Sequence, residues 1–347
     1  MNSFIAVLLA QDGLTNGAIY ALLALVLVMV FSVTRIIFVP QGEIVSYAAL
    51  TLAAVQAHRV PGTIYLLVGG GLIVAAKDAW AFLRGDRSHA RLRSALLYLL
   101  VPVAIALVVW LTSTLALPDW VGMPITLLIV VPLGPILYRV VFEPLAGSSV
   151  LVLLIVAVAI HLALVGFGLY FFGPEGVRTP PLVTVRASVG GFLLSGQTGF
   201  VLAIALVLIV LLFLFFEFSL QGKALRATTF NRTGARLVGI DPGRAGTLAF
   251  FFAALIGGIS GILISSITTI YYDTGFLIGL KGFVAAIFGG LVSYPLAAFG
   301  ALFIGLLETF SSFWASAFKD VIVFALIIPV LLVRNFKAEM TEEEEEE

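Results

Sequence analysis

Residues 200–216 run without a single charged side chain, and comparable apolar runs recur along the whole chain. About 20 apolar residues wound as a helix cross the roughly 30 Å hydrocarbon core of a bilayer with every backbone N–H and C=O bonded internally. An outer-membrane barrel strand would instead alternate apolar and polar positions. The hydrophobic fraction is 61% and the charged fraction 11%, against about 45–50% and about 25% for a soluble domain. The chain is therefore a polytopic membrane protein.

Eleven segments read as membrane material: 13–33, 43–57, 64–83, 96–117, 124–141, 150–172, 200–216, 247–270, 283–291, 296–313 and 321–333. The run at 43–57 is short for a crossing, so it is expected to tilt or break where it faces protein. The Gly-rich run at 283–291 either crosses or dips in and returns. The expectation is an all-α polytopic transmembrane helical bundle of about ten or eleven spans. The N-terminal residues lack a basic region and a small-residue cleavage site, so the first span is expected to be retained. With no cysteine, disulfides and thiolate metal sites are excluded.

Three polar segments interrupt this pattern. GPEGVRTPPLVTVRASVGGFLLSG, at 173–196, combines Pro, Gly and β-branched residues and predicts a small ordered loop or hairpin outside the membrane. QGKALRATTFNRTGARLVGIDPGRAG, at 221–246, carries Lys223, Arg226, Arg232, Arg236 and Arg244 against one acid, Asp241. Ala224, Ala227, Ala235 and Val238 leave room there for a short packed helix, closed by Gly239 and the Asp241-Pro242 turn. The end, 338–347, is an acidic tail expected to be disordered.

Placing the N-terminus outside puts Arg35, Lys77, Arg84, Arg87, Arg91, Arg93, Arg139, Lys223, Arg226, Arg232, Arg236, Arg244, Arg334 and Lys337 inside, fourteen of the 19 basic residues. Arg59, Arg178, Arg186, Lys281 and Lys319 fall outside. The excess of basic residues on the cytoplasmic side favours this orientation, with 221–246 and the C-terminus in the cytoplasm.

The residues offer little for soluble-type chemistry. His58, His89 and His161 are far apart, with no metal-ligand spacing on one helix, and no GxxxxGK[ST] phosphate loop is present. Energy for uphill transport must come from a partner or from ion coupling. Lys77-Asp78 reads as an interfacial pair, and Glu308 as a helix-to-helix hydrogen bond or an ion-coupling carboxylate. Gly257, Gly258, Ser260, Gly261 and Ser265, and a second group at Gly289, Gly290, Gly300 and Gly305, predict close helix packing. Gly69-Gly70-Gly71 reads as structural.

Several elements in register resemble one family. The stretch 12–22, DGLTNGAIYAL, is similar to an opening GLxxGxxYAL, and IIFVPQGE at 36–43 stands where the family has an NFAHGE-like turn. Tyr138-Arg139 with Pro144-Leu145 resemble a YRPLR element. The segment 222–240 resembles GRAxRAxxxNxxxAxxxGI, keeping Gly222, Arg226, Ala227, Asn231, Ala235, Gly239 and Ile240. Phe276 to Gly290 with Ser293, Pro295 and Gly300, then Lys319-Asp320, match later elements. On these residues the chain resembles the permease subunits of ABC transporters that import branched-chain amino acids, the first of the two related permeases in such systems.

The resemblance implies a permease domain over 1–337 that is not itself an enzyme and binds no cofactor directly, ATP being used by cytoplasmic ATPase subunits. It implies a second permease subunit, an extracytoplasmic solute-binding protein, membrane lipid and a small amino acid as partners, and no nucleic acid. The expected location is the inner membrane of a bacterial or archaeal cell. Gly222, Arg226, Ala227, Asn231, Ala235 and Gly239 would form the coupling helix, with Arg226, Arg232 and Arg236 facing the ATPase or lipid phosphates and Ala227 and Ala235 inward. The binding protein would meet the 173–196 and 271–282 loops, and Asn16, Tyr20, Gly42 and Glu43 would line the solute pathway. Departures are the turn at 36–43, the interrupted YRP element and extra material at 62–118 that reads as an inserted helical hairpin. Urea or short amides as solute, and an ion-coupled secondary transporter, are the alternatives.

Overall fold

A computed structural model describes residues 3–84, 89–115, 118–189 and 192–333, and over 186–189 and 192–194 it describes the backbone alone. Arg87, Leu117, Arg334, Lys337 and the acidic tail lie outside the described residues. Among the described residues the chain is all-α apart from one hairpin and an isolated bridge between Val177 and Ile270. Its helices are α1 (Ser3–Thr34), α2 (Gln41–Gln56), α3 (Thr63–Leu83), α4 (His89–Ser113), α5 (Gly122–Val130), α6 (Leu133–Leu137) and α7 (Val150–Phe172). The strands β1 (Arg186–Val189) and β2 (Phe192–Ser195) follow, then α8 (Gly196–Phe218), α9 (Leu220–Phe230), α10 (Arg232–Leu237), α11 (Pro242–Ser265), α12 (Thr274–Phe288), α13 (Tyr294–Trp314) and α14 (Lys319–Ala325).

Among the described residues, nine helical stretches are long and apolar enough to cross a membrane. Two further helices are short: α2 with 16 residues and α12 with 15. At 1.5 Å per residue these reach only about 22–24 Å, less than the hydrocarbon core. Length distinguishes α12, which is apolar, from the other nine. The stretch Asp119–Leu145 carries Pro132 and Pro135, which remove backbone donors. It is divided accordingly into α5, α6 and a π-helical turn at Tyr138–Phe142.

Two compact units share the chain, the first made of Met1–Met29, Val183–Leu211 and Leu277–Glu347, the second of Val30–Leu182 and Leu212–Phe276. In the second, α2 is buried continuously from Gln41 to Leu52. Its neighbours include α5, α7 and α11. The approach of α11 depends on glycine: a Cβ at Gly261 would stand 2.3 Å from the Val45 carbonyl oxygen, and one at Gly257 2.7 Å from Gln41 Nε2. The expected small-residue contact is therefore real. Lipid tails offer no hydrophobic drive for helix association, so such backbone proximity supplies dispersion contact instead. Phe38, Tyr138, Phe142 and Phe250, all 2% exposed or less, fill the adjoining space as tilted and edge-on rings.

The pair α3 and α4 forms the expected hairpin, with Leu67 and Val74 packed among Ile105, Val109, Ile129 and Ile136. Gly71 admits Pro102 and the Tyr98 carbonyl of α4, where a Cβ would meet them at 2.7 and 2.5 Å, which is the structural role expected of the triple glycine. The Arg91-Arg93 patch lies within the first turns of α4 rather than in a loop, and α3 continues through Lys77 and Asp78.

In the first unit, Gly305 of α13 meets α1 at Gly13 and Gly17, its Cβ position 2.4 Å from the Gly13 oxygen and the Gly17 nitrogen. The two strands pair antiparallel, Arg186 opposite Ser195 and Val189 opposite Phe192, so the expected hairpin within 173–196 is present. One expectation fails. The segment 271–282 is not a loop, because α12 begins at Thr274.

Candidate functional site

Polar chemistry concentrates at the start of α2. Glu43 is 1% exposed and His161, in the middle of α7, 8%. His161 Nδ1 and Glu43 Oε1 share a hydrogen bond across 2.7 Å, and the imidazole stacks on Phe276 at 4.5 Å between centroids. Glu43 Oε2 and Ser46 Oγ, one turn further along α2, are buried with no hydrogen-bond partner among the described residues. Gly275 presses on the same turn, its Cβ position 2.3 Å from the Gly42 oxygen and 2.8 Å from Ser46 Oγ. Gln41 Nε2 anchors the helix by donating to the Ala253 carbonyl of α11 at 3.0 Å. Glu43 sits in the first turn of α2, where free N–H groups and the helix dipole favour a negative charge.

The other two expected pathway residues belong to the first unit. Asn16 is partly exposed on α1. Tyr20 is buried, and its hydroxyl donates to Glu308 Oε2 at 2.7 Å. Lys281 Nζ donates to Glu308 Oε1 at 2.6 Å and lies 3.0 Å from Asp320. Glu308 is thus the helix-to-helix link that one reading of the sequence expected. Lys281, expected in an outside loop, is 6% exposed within α12. Its charge is held by the two carboxylates.

The segment 221–246 is two helices rather than one. Ser219 caps α9 by accepting from the Gly222 amide at 2.8 Å, and Gly222 is required because a Cβ would fall 2.2 Å from the Phe215 carbonyl. Asn231 ends α9 in an extended conformation and caps α10, its Oδ1 accepting from the Gly234 amide at 2.8 Å. Gly239 turns the chain at φ +85°, a conformation strained for residues with a Cβ, and Asp241 caps α11.

Burial corrects the expected facing of this segment. Ala235 is inward at 4% exposure, but Ala227 is only half-buried and Val238 is 76% exposed. Arg226 folds back onto Glu217 at 3.0 Å, and Arg236 is exposed. Arg232 points inward, donating to the Val33 carbonyl at 3.0 Å. Burial lowers its pKa from the ordinary arginine value, with Arg35 and Arg236 adding to the effect. Large apolar side chains face out as well: Phe230 and Leu237 are each 85% exposed.

A second charged cluster was only half legible. Lys77 and Asp78 do not pair with each other. Asp78, fully buried, takes Arg139 through both oxygens at 3.2 and 3.1 Å and Arg91 at 3.4 Å, while Lys77 lies 3.7 Å from Glu143. Sequence reasoning missed His161, Ser46 and Gly275 altogether. One signal was available: His161 is an imidazole in the middle of an otherwise apolar span, and intramembrane ionisable groups mark functional positions.

The chain matches the family "Branched-chain amino acid transport system / permease component" over residues 9–331. It is 27% identical over 332 residues to the high-affinity branched-chain amino acid transport system permease protein LivH of Salmonella typhimurium, covering 93% of this chain and 91% of that one. The LivH of Escherichia coli K12 is 26% identical with the same coverage. BraD, a permease protein of the same description from Pseudomonas aeruginosa, is 29% identical over 203 residues, 56% of this chain and 66% of that one. Among solved structures, PsaBC from Streptococcus pneumoniae in complex with Fab aligns at 12% identity and a TM-score of 0.36, covering 93% of this chain and 89% of that one.

Proposed function

This chain belongs to the permease-component family of branched-chain amino acid transport systems, and from that premise we propose that it forms the translocation pathway of an ATP-driven importer. The solute is a branched-chain or related hydrophobic amino acid. Cytoplasmic ATPase subunits supply the energy, a second permease subunit completes the membrane part, and an extracytoplasmic binding protein delivers the solute. The N-terminus lies outside, with 173–196, and 221–246 lies in the cytoplasm with the C-terminus, as the placement of the basic residues supports. The pair α3 and α4 is an insertion carried by the permease domain.

The observation that carries the coupling role is the exposed apolar row Phe230, Leu237 and Val238 at 85, 85 and 76%, set among arginines outside the nine candidate spans. Large apolar side chains presented together outside lipid mark a protein contact. Gly222, Asn231 and Gly239 shape the segment, Arg226 stiffens its junction with α8, and Ala235 sets its inner side, with Ala227 half-buried. Closure of the ATPase pair would reach the spans as rigid-body movement. Gly42 and Glu43, with Asn16 and Tyr20, are assigned to the solute pathway.

The test is uptake of labelled leucine into vesicles carrying this chain with its partners. ATP-dependent uptake competed by valine supports the proposal. Uptake of urea or a short amide alone keeps the machine and replaces the solute, a second reading favoured by the altered turn at 36–43. Uptake that survives loss of the ATPase and collapses with an uncoupler overturns it in favour of ion coupling.

A further inference from the structure

Resting on that reading, we propose that Glu43, Ser46 and His161 form the site that recognises the ammonium group of the transported amino acid. His161 holds the Glu43 carboxylate between transport events and yields it to the solute. The first observation is an unbalanced polar cluster inside one compact unit. A carboxylate 1% exposed at membrane depth needs compensation on both oxygens. Here Oε1 is paired with His161 Nδ1 at 2.7 Å, and Oε2 has no partner among the described residues.

Ser46 Oγ, buried and equally unpartnered, lies three residues on and therefore on the same face of α2. Two unsatisfied acceptors on one helical face suit a group that brings several donors and no acceptor. An ammonium brings three. The charge-assisted bond to a carboxylate is about twice as strong as a neutral one, so the site favours an amino acid over urea or an amide. It opposes a des-amino acid, whose carboxylate would meet Glu43 with like charge.

A second observation concerns the remainder of the solute. An apolar cavity of about 520 Å³ between α2, α3, α6 and α7 includes Ile44 and Ile160 in its wall, the sequence neighbours of Glu43 and His161, together with Leu133, Leu164 and Phe167. The cavity lies on the neighbouring faces of α2 and α7 rather than at the carboxylate itself, and its apolar wall matches the hydrocarbon side chain of a small solute with a charged head. The third observation is closure. Phe276 stacks on the imidazole, and Gly275 presses on Gly42 and Ser46, so the site is sealed by α7 and the first turn of α12. Entry of solute requires one of these to move, and the exchange of imidazole for ammonium on Glu43 provides the driving interaction.

The test uses the complete transporter with its ATPases and binding protein in proteoliposomes, under conditions where the wild type shows ATP-dependent leucine uptake. Leucine uptake and ATP hydrolysis are measured together for Glu43→Gln, Glu43→Asp and Ser46→Ala. Glu43→Gln keeps the shape and removes the charge. Its leucine uptake is expected to fall at least tenfold and much further than binding-protein-stimulated hydrolysis, so the ratio of solute moved to ATP used collapses. Glu43→Asp is expected to recover part of that ratio, and Ser46→Ala to lower it about threefold to tenfold. Uptake by Glu43→Gln within twofold of wild type would overturn the site. So would a parallel loss of uptake and hydrolysis, which marks a structural role. Absence of leucine uptake in the wild type defeats the proposed solute instead, and is distinguishable because no variant is then needed.

Discussion

Removing the charge of Lys281 should destabilise the first unit more than removing the charge of Glu308, and removing both should cost less than the two losses added together. Lys281 and Glu308 are 6 and 8% exposed, and the ammonium bridges Glu308 at 2.6 Å and Asp320 at 3.0 Å. Lys281→Met fills the same volume but strands two carboxylates, one of them buried. Stranding a buried charge costs about 3–5 kcal/mol. Glu308→Gln leaves Lys281 with Asp320, whose side chain is 37% exposed, and leaves Tyr20 an amide oxygen to donate to. Its cost is expected nearer about 1–2 kcal/mol, the range of one weakened buried hydrogen bond. The double variant removes one charge of each sign, so its loss should fall below that of Lys281→Met alone, giving a coupling energy of about 2 kcal/mol. The assay is reversible unfolding of the purified chain in mixed micelles, run as a double-mutant cycle. Additive losses, or a larger loss for Glu308→Gln than for Lys281→Met, would refute the reasoning.

The same logic applies to Asp78. Arg139→Met should cost toward the lower end of about 3–5 kcal/mol, because Arg91 remains 3.4 Å from the stranded carboxylate, and Asp78→Asn in that background should recover part of it in the same unfolding assay. Gly261→Leu would drive a side chain into the Val45 carbonyl from a Cβ position already 2.3 Å away. A loss of at least about 1–3 kcal/mol is expected, together with reduced yield of folded protein on size-exclusion chromatography. On the coupling segment, Phe230→Asp with Leu237→Asp should abolish ATPase association in a pull-down while membrane insertion is retained, since both side chains are 85% exposed and carry no fold. Ala235→Glu, at a buried position, should lose association and segment folding together, and retained association in either variant would remove 221–246 as the docking surface.

Much of this architecture was written in local chemistry. Uncharged runs of helical length have no stable alternative in lipid, so the spans followed from composition and length. The Pro, Gly and β-branched content of 173–196 likewise pointed to a hairpin. Each of those signals sits within a few residues of the structure it specifies. Tertiary structure alone decided the pairings. Glu43 meets His161, 118 positions further along the chain, Arg139 reaches Asp78 as well as its neighbour Glu143, and Arg232 turns inward although its charge suggested the surface. An ionisable residue in a span announces that it needs a partner, but which partner depends on which helix faces bring backbones together. Here glycines such as Gly257, Gly261 and Gly275 set those approaches. A glycine's position in the sequence shows that a close contact is possible. Only the packed helices show what it touches.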